Sequence, residues 1–495
     1  MARARRFAGF YLNEDPEAIN YDPDKRIILA PDNGSMGPRP REGGSYSPSA
    51  SMVRYGLPYE DIEGVSKVED LQDPELARRM GAAMDERMSR GDVLANLGVV
   101  SLVTNAWLLT GEDKYQDWVL EYVGAWLERS EANGGLPPDN VGLSGEVGEY
   151  ISGKWYGGLY GWTWPHGFYN IGMACVVASS CAYLISGEDR YLDLARIPID
   201  RIVELGEERD PRQEVTSLSG PGVATFESDG EQRAFLVPHR YSDSGWFDYM
   251  PTMVRLPLAL WNLTGADDDR QRVEHIRELE RVDWCEYTPS HDKEDTGHER
   301  PWHAFLMGEN PEYPEEALRG AISMVYKRIR DVREDDSNPL NNHIHQWQQL
   351  NPVTNETLIQ LTLGAPQFLY NGGLMIAPLR YFDGDRRRPG LPEDVSALVR
   401  AVDRDRIDVE LINLNAWTQR SAIVQAGSFG QHRFTAVEYN GATADSVTAD
   451  KGQSVHTKIS GGGLEVQLPP GSTISLRLTL ERGACRPSYR SPWEA

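Results

Sequence analysis

The densest group of side chains that could do chemistry lies in residues 238–249. His and Tyr side chains there can exchange protons, Arg can hold an anion, and the carboxylates can act as acids or bases. The group comprises His239, Arg240, Tyr241, Asp243, Trp246, Asp248 and Tyr249. Because polar groups destabilise a core unless each one is hydrogen-bonded, this density indicates either a functional site or a structural polar network.

A second group fills the loop 133–166, where aromatic residues are interleaved with glycines. Flat rings beside open backbone offer faces on which the apolar C–H surface of a sugar can stack. The loop contains Lys154, Trp155, Tyr156, Trp162 and Trp164, ends at His166 and is followed by Asn170. The alternative interpretation is a buried aromatic plug that holds the loop in place.

Two further histidine groups are weaker candidates. His343 and His345 are two residues apart, so they share a face on a strand but not on a helix. A metal site there would need a third ligand, and none is predicted. The pair His298 and Glu299 is expected to be structural.

The elements that must position these groups are helical from about residue 70 to 385, and they contain a repeat. The segment 109–115 reads LTGEDKY and recurs at 185–191 as ISGEDRY, with weaker copies at 263–267 and 306–313. In each copy an apolar helix is predicted to end at Gly, and acidic residues then open an amphipathic helix. Such tandem helical hairpins bury their shared faces by stacking on their neighbours.

After about residue 390 the hydrophobic period becomes that of β-strands. Strands are predicted at 407–414, 421–425, 433–439, 464–468 and 472–480. We therefore expect an extended N-terminal arm over 1–65, a helical domain over 66–388 and an antiparallel β-sandwich over 389–495. Trp417 is the one indole of the β-domain before the C-terminal tail, so a separate sugar-binding role there is not expected.

Helical hairpins that turn on a Thr-Gly-Glu-Asp-Lys-Tyr corner and precede a β-sandwich resemble the (α/α) toroid carbohydrate-active enzymes. That group includes polysaccharide lyases and glycoside hydrolases. The resemblance covers roughly residues 70–480 and matches the catalytic signature of no single family. It implies a mainly α protein with a β-domain, in which an (α/α) toroid cleaves glycosidic bonds at a cleft formed by loops between inner helices.

Under this resemblance the first chemistry to consider is β-elimination from a uronate. It needs a neutralised carboxylate, a base for the α-proton and an acid for the leaving oxygen. The residues assigned to these three roles are, in turn, Asn170, Lys154 or Arg240; His166 or His239; and Tyr241, Tyr169 or Tyr249. The substrate-binding set comprises Lys154, Trp155, Tyr156, Trp162, Trp164, Trp246 and His345. We favour this interpretation because these residue types cluster more tightly than the carboxylates pair.

Hydrolysis is the alternative, and it needs two carboxyl groups across the scissile bond. Inverting enzymes hold them about 6.5–9.5 Å apart and retaining enzymes about 5–5.5 Å apart. The candidates are Asp139, Glu146, Glu149, Asp243 and Asp248. A non-catalytic glycan-binding protein is a third interpretation.

The composition limits the partners and the compartment. Of 495 residues, 50 are Lys or Arg and 75 are Asp or Glu, so the net charge of −25 excludes a general nucleic-acid binder. No signal peptide is visible and no membrane is expected, which predicts a cytoplasmic protein, or a secreted or periplasmic one if a signal precedes this sequence. No organic cofactor is expected, because no Gly-rich loop joins a strand to a helix. The many acidic residues leave a divalent ion open, and the oligomeric state is open too.

Overall fold

The chain is described here by a computed structural model. The structure describes all residues except 17–18, 31–32, 35–36, 39–61, 67, 89, 165, 212–232, 289–297, 339–349, 367–371, 441–446, 449–453 and 495. The polypeptide divides into two compact units. The first unit contains residues 1–256 and 371–374, and the second contains residues 257–370 and 375–495.

The first unit is built mainly from helices. They are α1 (Ala2–Gly9), α2 (Pro74–Met88), α3 (Val99–Thr110), α4 (Asp113–Ala132), α5 (Phe168–Ser186) and α6 (Asp193–Glu204). Short 3-10 turns lie at Val68–Gln72, Leu94–Gly98 and Asp189–Leu192. Three short ribbons pair β1 (Tyr21–Asp22) with β2 (Ile27–Ile28), β3 (Asn33–Gly34) with β4 (Gly37–Pro38), and β5 (Asp92–Val93) with β6 (Asn140–Val141). A three-stranded sheet joins β7 (Glu207–Arg209), β8 (Ala234–Ser242) and β9 (Gly245–Met250).

The predicted extended arm over residues 1–65 begins instead with the helix α1. Its sequence, ARARRFAG, is rich in Ala and Arg, which are among the strongest helix formers, and α1 packs against α3. Further along the arm, the ring of Tyr21 lies 5.4 Å from that of Trp118 on α4. Aromatic contacts of this kind hold the arm on the helices, but the arm is not extended throughout.

The predicted helical corners are present, and three of them share the same hydrogen bonds. Gly111 and Gly187 adopt left-handed φ angles of 72°, and Gly265 adopts 63°. Each glycine N–H donates to the carbonyl four residues earlier at 2.7 Å. The hydroxyl before each glycine donates to the carbonyl four residues back and accepts the N–H two residues ahead. The recurring Thr/Ser-Gly pair thus ends each first helix, because the left-handed conformation suits glycine best.

Helix α5 is apolar around its whole circumference. By length and composition its 19 residues, with a mean hydropathy of 1.6, could cross a membrane, yet 72% of that segment is buried inside the protein. It packs against α3, α4 and α6. A helix surrounded by others in a core is expected to be apolar on every side, and that is the environment of α5.

The second unit combines helices with two sheets. Its helices are α7 (Arg255–Thr264), which starts in the first unit, α8 (Asp267–Glu280), α9 (Glu299–Leu306), α10 (Tyr313–Glu334) and α11 (Glu356–Leu363). One sheet has the order β11-β10-β14-β18-β16, comprising Arg388–Pro389, Leu379–Asp383, Arg420–Ala426, Gly463–Leu468 and Val447–Thr448. The other has the order β12-β13-β19-β15-β17, comprising Val395–Val402, Arg406–Asn413, Thr473–Glu481, Arg433–Asn440 and Ser454–Gly461. All pairs are antiparallel except β16 with β18.

The predicted boundary at 388/389 does not separate the compact units. Helix α11 packs on strand β12, and the Tyr381 hydroxyl donates to the Thr362 carbonyl at 2.7 Å. Helices from residue 257 onward therefore belong with the C-terminal strands. The change of hydrophobic period near residue 390 marks a change of secondary structure and not the edge of a folded unit.

Candidate functional site

The hairpin β8–β9 carries the densest candidate group. In its register Arg240 lies opposite Phe247, and Tyr241 lies opposite Trp246. Directly opposite residues of an antiparallel pair share a face, so the rings of Tyr241 and Trp246 meet with centroids 4.9 Å apart. Because neighbouring residues of a strand point to opposite faces, Arg240 lies on the face of the hairpin opposite to the Tyr241–Trp246 pair.

The loop 133–166 packs onto this hairpin. The Tyr241 N–H donates to the Trp162 carbonyl, and the Thr163 hydroxyl donates to the Tyr241 carbonyl, both at 3.0 Å. These bonds extend the edge of β8 with loop backbone. The two segments that the sequence singled out separately therefore form one structure.

Asp139 organises the loop from inside. Its carboxylate is fully buried and accepts the backbone N–H groups of Gly157 at 2.7 Å, Gly158 at 3.2 Å and Trp162 at 2.9 Å. A Cβ at Gly161 would lie 2.1 Å from the Asp139 carboxyl carbon, so the backbone can approach only because that residue is glycine. Burial raises the pKa of Asp139 to about 7, although the three N–H donors lower it. The prediction that Asp139 could serve as a hydrolytic carboxylate is therefore corrected, because its oxygens accept hydrogen bonds from the backbone of the loop.

Four half-buried rings form what we call the aromatic surface, made of Trp155, Tyr156, Tyr241 and Trp246. Tyr241 touches the other three, with ring centroids 4.9 Å from Trp155, 4.8 Å from Tyr156 and 4.9 Å from Trp246. Most of these contacts are edge-to-face or tilted, which aromatic quadrupoles favour. Tyr241 is therefore at the centre of the aromatic surface.

Trp162 and Trp164, predicted as stacking platforms, are buried instead. Trp162 is 0% exposed, its indole N–H donates to the Pro137 carbonyl at 2.9 Å, and its ring stacks on Phe168. Trp164 is 6% exposed and lies in an apolar cluster with Leu159. For these two indoles the interpretation as an aromatic plug holds, because neither offers a face to a ligand.

The side-chain carboxylate of Asp243 contacts Lys154 and Tyr156 at the edge of the aromatic surface. The Lys154 ammonium lies 2.7 Å from one Asp243 oxygen, and the Tyr156 hydroxyl donates to the other. The side chains of Lys154 and Asp243 are 28% and 27% exposed, so solvent reaches the pair. Lys154 and Tyr156 thus converge on one carboxylate position, which the sequence did not reveal because residues 154–156 and 243 are far apart along the chain.

Arg240 and His239 are buried rather than presented to a ligand. The Arg240 guanidinium donates to the Thr163 carbonyl and lies 3.7 Å from Asp248, and both side chains are 2% exposed. Burial lowers the pKa of Arg240 to about 10, although Asp248 raises it. Burial also lowers the pKa of His239 to about 4, and its ring meets Phe168 edge-on. The predicted roles of Arg240, His239 and Asp248 in direct contact with substrate are therefore corrections.

Tyr249 is also withdrawn from solvent. It is 8% exposed, and the Arg209 guanidinium lies 3.5 Å from its ring centroid. The predicted role of Tyr249 as an acid is therefore corrected, because its side chain is buried against Arg209. By contrast, His166, Tyr169 and Asn170 are half-buried at the start of α5, and the rings of His166 and Tyr169 are 6.4 Å apart.

The remaining candidates lie elsewhere. Glu146 and Glu149 are exposed, and the Glu149 carboxylate accepts the Ser144 N–H at 2.9 Å and the Ser144 hydroxyl at 2.7 Å. These contacts are local to the 142–149 turn. His345 lies outside the described residues. Within the described part of the chain, no three His, Cys, Asp or Glu side chains are grouped so that they could hold a metal ion.

Comparison with known protein families gives a match over most of the chain. Residues 1–359, more than two thirds of the chain, match the family described as a domain of unknown function, DUF8034. The chain belongs to the DUF8034 family. The DUF8034 match includes the whole aromatic surface and ends before the two five-stranded sheets. Neither the curated proteins nor the solved structures include a significant match.

The sequence contained an indication that Asp139 has a structural role, but its carboxyl group suggested a catalytic one. Gly157, Gly158 and Gly161 follow it within 22 residues. Gly157 and Gly158 donate their N–H groups to Asp139, and Gly158 and Gly161 approach it closely because they lack a side chain. A buried acid that ties a glycine-rich loop was therefore as consistent with the spacing as a catalytic carboxylate.

Proposed function

We propose that this DUF8034 protein is a carbohydrate-active enzyme that cleaves a uronate-containing glycan by β-elimination, on a scaffold of the (α/α) toroid type. The observation that carries the proposal is the convergence of Lys154 and Tyr156 on one carboxylate beside the aromatic surface. A uronate combines the two features that this arrangement suits, a carboxylate and a sugar ring with apolar C–H faces.

In this proposal a uronate carboxylate displaces Asp243 and takes its position beside Lys154 and Tyr156. The Lys154 ammonium and the Tyr156 hydroxyl then neutralise its charge, which makes the neighbouring C5 proton more acidic. Charge-assisted hydrogen bonds to a carboxylate are about twice as strong as neutral ones. Trp155 and Trp246 contact the sugar ring, and both are half-buried with part of their surface open to solvent.

The elimination step then needs two proton transfers. His166 removes the C5 proton, the electron pair forms the C4–C5 double bond, and the C4–O bond breaks. The leaving oxygen takes a proton from the Tyr241 hydroxyl, and solvent restores both groups. Tyr241 is assigned as the acid because it is half-buried at the centre of the aromatic surface. Arg240 and His239 support the hairpin as positioning residues.

Hydrolysis is less well supported by the same geometry. It needs two available carboxyl groups, and two of the candidates, Asp139 and Asp248, are buried and engaged by backbone N–H groups and by Arg240. Asp243 is the candidate beside the aromatic surface, and its charge is already paired with Lys154.

The repeated Gly corners favour the toroid scaffold, because three of them share one hydrogen-bond pattern.

The test is digestion of polygalacturonate, alginate and hyaluronan, with ultraviolet absorbance and reducing ends measured in parallel. Elimination raises both, because it leaves a conjugated 4,5-unsaturated uronate at each new end. We expect Tyr241→Phe to lower kcat by about 100-fold or more, the usual contribution of a positioned acid. The matched control is Tyr160→Phe, which removes a hydroxyl from an exposed ring of the loop 133–166 outside the aromatic surface. Reducing ends without absorbance, or binding without either signal, would contradict the proposal.

A further inference from the structure

An exposed apolar tip lies in the second unit, between β13 and β14. Trp417 is 90% exposed and Leu414 is 68% exposed. A tryptophan side chain carries about 150–250 Å² of largely apolar surface that proteins usually bury. Trp417 therefore exposes a large ring where neither the core nor a described neighbour covers it.

The tip is held in place by hydrogen bonds on both sides. The Asn415 side-chain oxygen accepts the Trp417 and Thr418 N–H groups, each at 2.9 Å, and its amide nitrogen donates to Asp394 at 2.9 Å. The Asn413 amide donates to the carbonyls of Leu468 and Pro469 from within the fold. Because the backbone that carries Trp417 is fixed, a ligand that meets the ring does not first have to order the loop.

A row of polar side chains begins two residues after the ring. The Gln419 amide donates to Gln467 at 2.8 Å, and the Gln467 amide donates to Glu465 at 2.8 Å. Gln467 and Glu465 point away from the core, because Val466 and Leu468 between and beside them are buried. Two residues span at most about 7 Å of chain, so the row starts beside Trp417.

Contrary to the expectation from the sequence, we propose that Trp417, Gln419 and Gln467, here called the Trp417 surface, bind a glycan chain. A flat apolar ring next to planar amides matches the two sides of a sugar, whose C–H face stacks and whose hydroxyls both donate and accept hydrogen bonds. The Glu465 carboxylate beside Gln467 disfavours an anionic membrane surface and favours an uncharged stretch of a glycan chain. The choice of a glycan as ligand rests on the proposed function, but the Trp417 surface belongs to the other compact unit and not to the aromatic surface.

The test is affinity electrophoresis of the full chain in native gels that contain polygalacturonate, alginate or hydroxyethylcellulose. We expect at least one polysaccharide to retard the wild-type protein, and Trp417→Ala to bind it about tenfold more weakly, as the loss of one stacked ring predicts. Trp417→Phe should recover most of the retardation, because it restores a ring. Tyr326→Ala is the matched control, since it removes another exposed ring of the same unit, 71% exposed on α10; it should not change retardation.

Several outcomes would overturn this proposal. The first is that no gel retards the wild-type protein, and the second is that Trp417→Ala is retarded as much as wild type. The third is that the wild-type protein forms an oligomer that Trp417→Ala does not form, which would make a second copy of the chain the ligand. Retardation is independent of cleavage. Cleavage without Trp417-dependent retardation removes this proposal alone, whereas Trp417-dependent retardation without cleavage removes the proposed function and keeps this binding surface.

Discussion

Replacing Asp139 by Asn should change how the stability of the protein depends on pH. The carboxyl group is fully buried, and burial raises its pKa from 3.8 to about 7. Since the folded-state pKa lies above the unfolded value, the unfolded chain gives up this proton at lower pH than the folded protein. The contribution of Asp139 to stability is therefore greatest below about pH 4 and is lost as the pH rises towards 7.

The magnitude follows from the two pKa values. With 3.8 for the unfolded chain and about 7 for the folded protein, linkage predicts that Asp139 costs the wild-type protein about 2.5 kcal/mol of stability between pH 5 and pH 8. Asp139→Asn cannot titrate, so it should lack this part of the decline. At pH 5 the variant should be about 1–3 kcal/mol less stable than wild type, because an amide presents only one acceptor oxygen to three backbone N–H donors. This difference should shrink as the pH rises to 8, because only the wild-type protein loses stability there.

The assay is urea unfolding at pH 5, 6, 7 and 8, followed by the fluorescence of all 13 tryptophans, which include Trp155, Trp162 and Trp246 around the loop. Glu146→Gln is the control, since it neutralises an exposed carboxylate on the same chain segment. If wild type and Asp139→Asn lose the same stability from pH 5 to pH 8, the carboxyl group does not titrate near neutrality. The account of Asp139 as a buried hub with a raised pKa would then be wrong.

Two further predictions concern the buried Arg240 side chain and the glycines Gly111 and Gly161. Arg240→Gln should lower the free energy of unfolding by about 3–5 kcal/mol, because it removes the guanidinium that faces the buried Asp248 carboxylate. The double variant with Asp248→Asn should recover much of that loss in urea unfolding, and an unchanged loss would refute the pairing. Gly111→Ala should cost only about 1–2 kcal/mol, since its φ of 72° is strained but the space is open. Gly161→Ala should cost clearly more, because its Cβ would meet the Asp139 carboxyl group at 2.1 Å; equal costs for the two would refute the close packing.

Much of the fold could be predicted from local pattern. The strands predicted at 407–414, 421–425 and 472–480 correspond to β13, β14 and β19, each within about two residues. The Gly corners could also be predicted, because a hydroxyl-bearing residue before a glycine ends a helix through contacts within five residues. The division into units could not be predicted, since it depends on packing between segments distant in sequence, such as α11 on β12.

The candidate site was predicted in composition but not in arrangement. The sequence brought the loop 133–166 and the segment 238–249 forward, and they are joined through Tyr241 and Trp162. It could not tell a ring on the surface from one beneath it, because Trp155 and Trp162 have similar neighbours in sequence and differ only in packing. For the same reason Arg240 was taken as a ligand-binding cation, although Asp248 and the Thr163 carbonyl bury it.

The most direct test of the central claim is the origin of the new chain ends. Digestion of the cleaved polysaccharide in water enriched in heavy oxygen, followed by mass spectrometry, separates the two chemistries. The proposal predicts product pairs that sum to the parent mass, with no heavy oxygen incorporated by bond cleavage, and loss of these products in Tyr241→Phe. Products that carry one added water with heavy oxygen would show hydrolysis and contradict β-elimination at the aromatic surface.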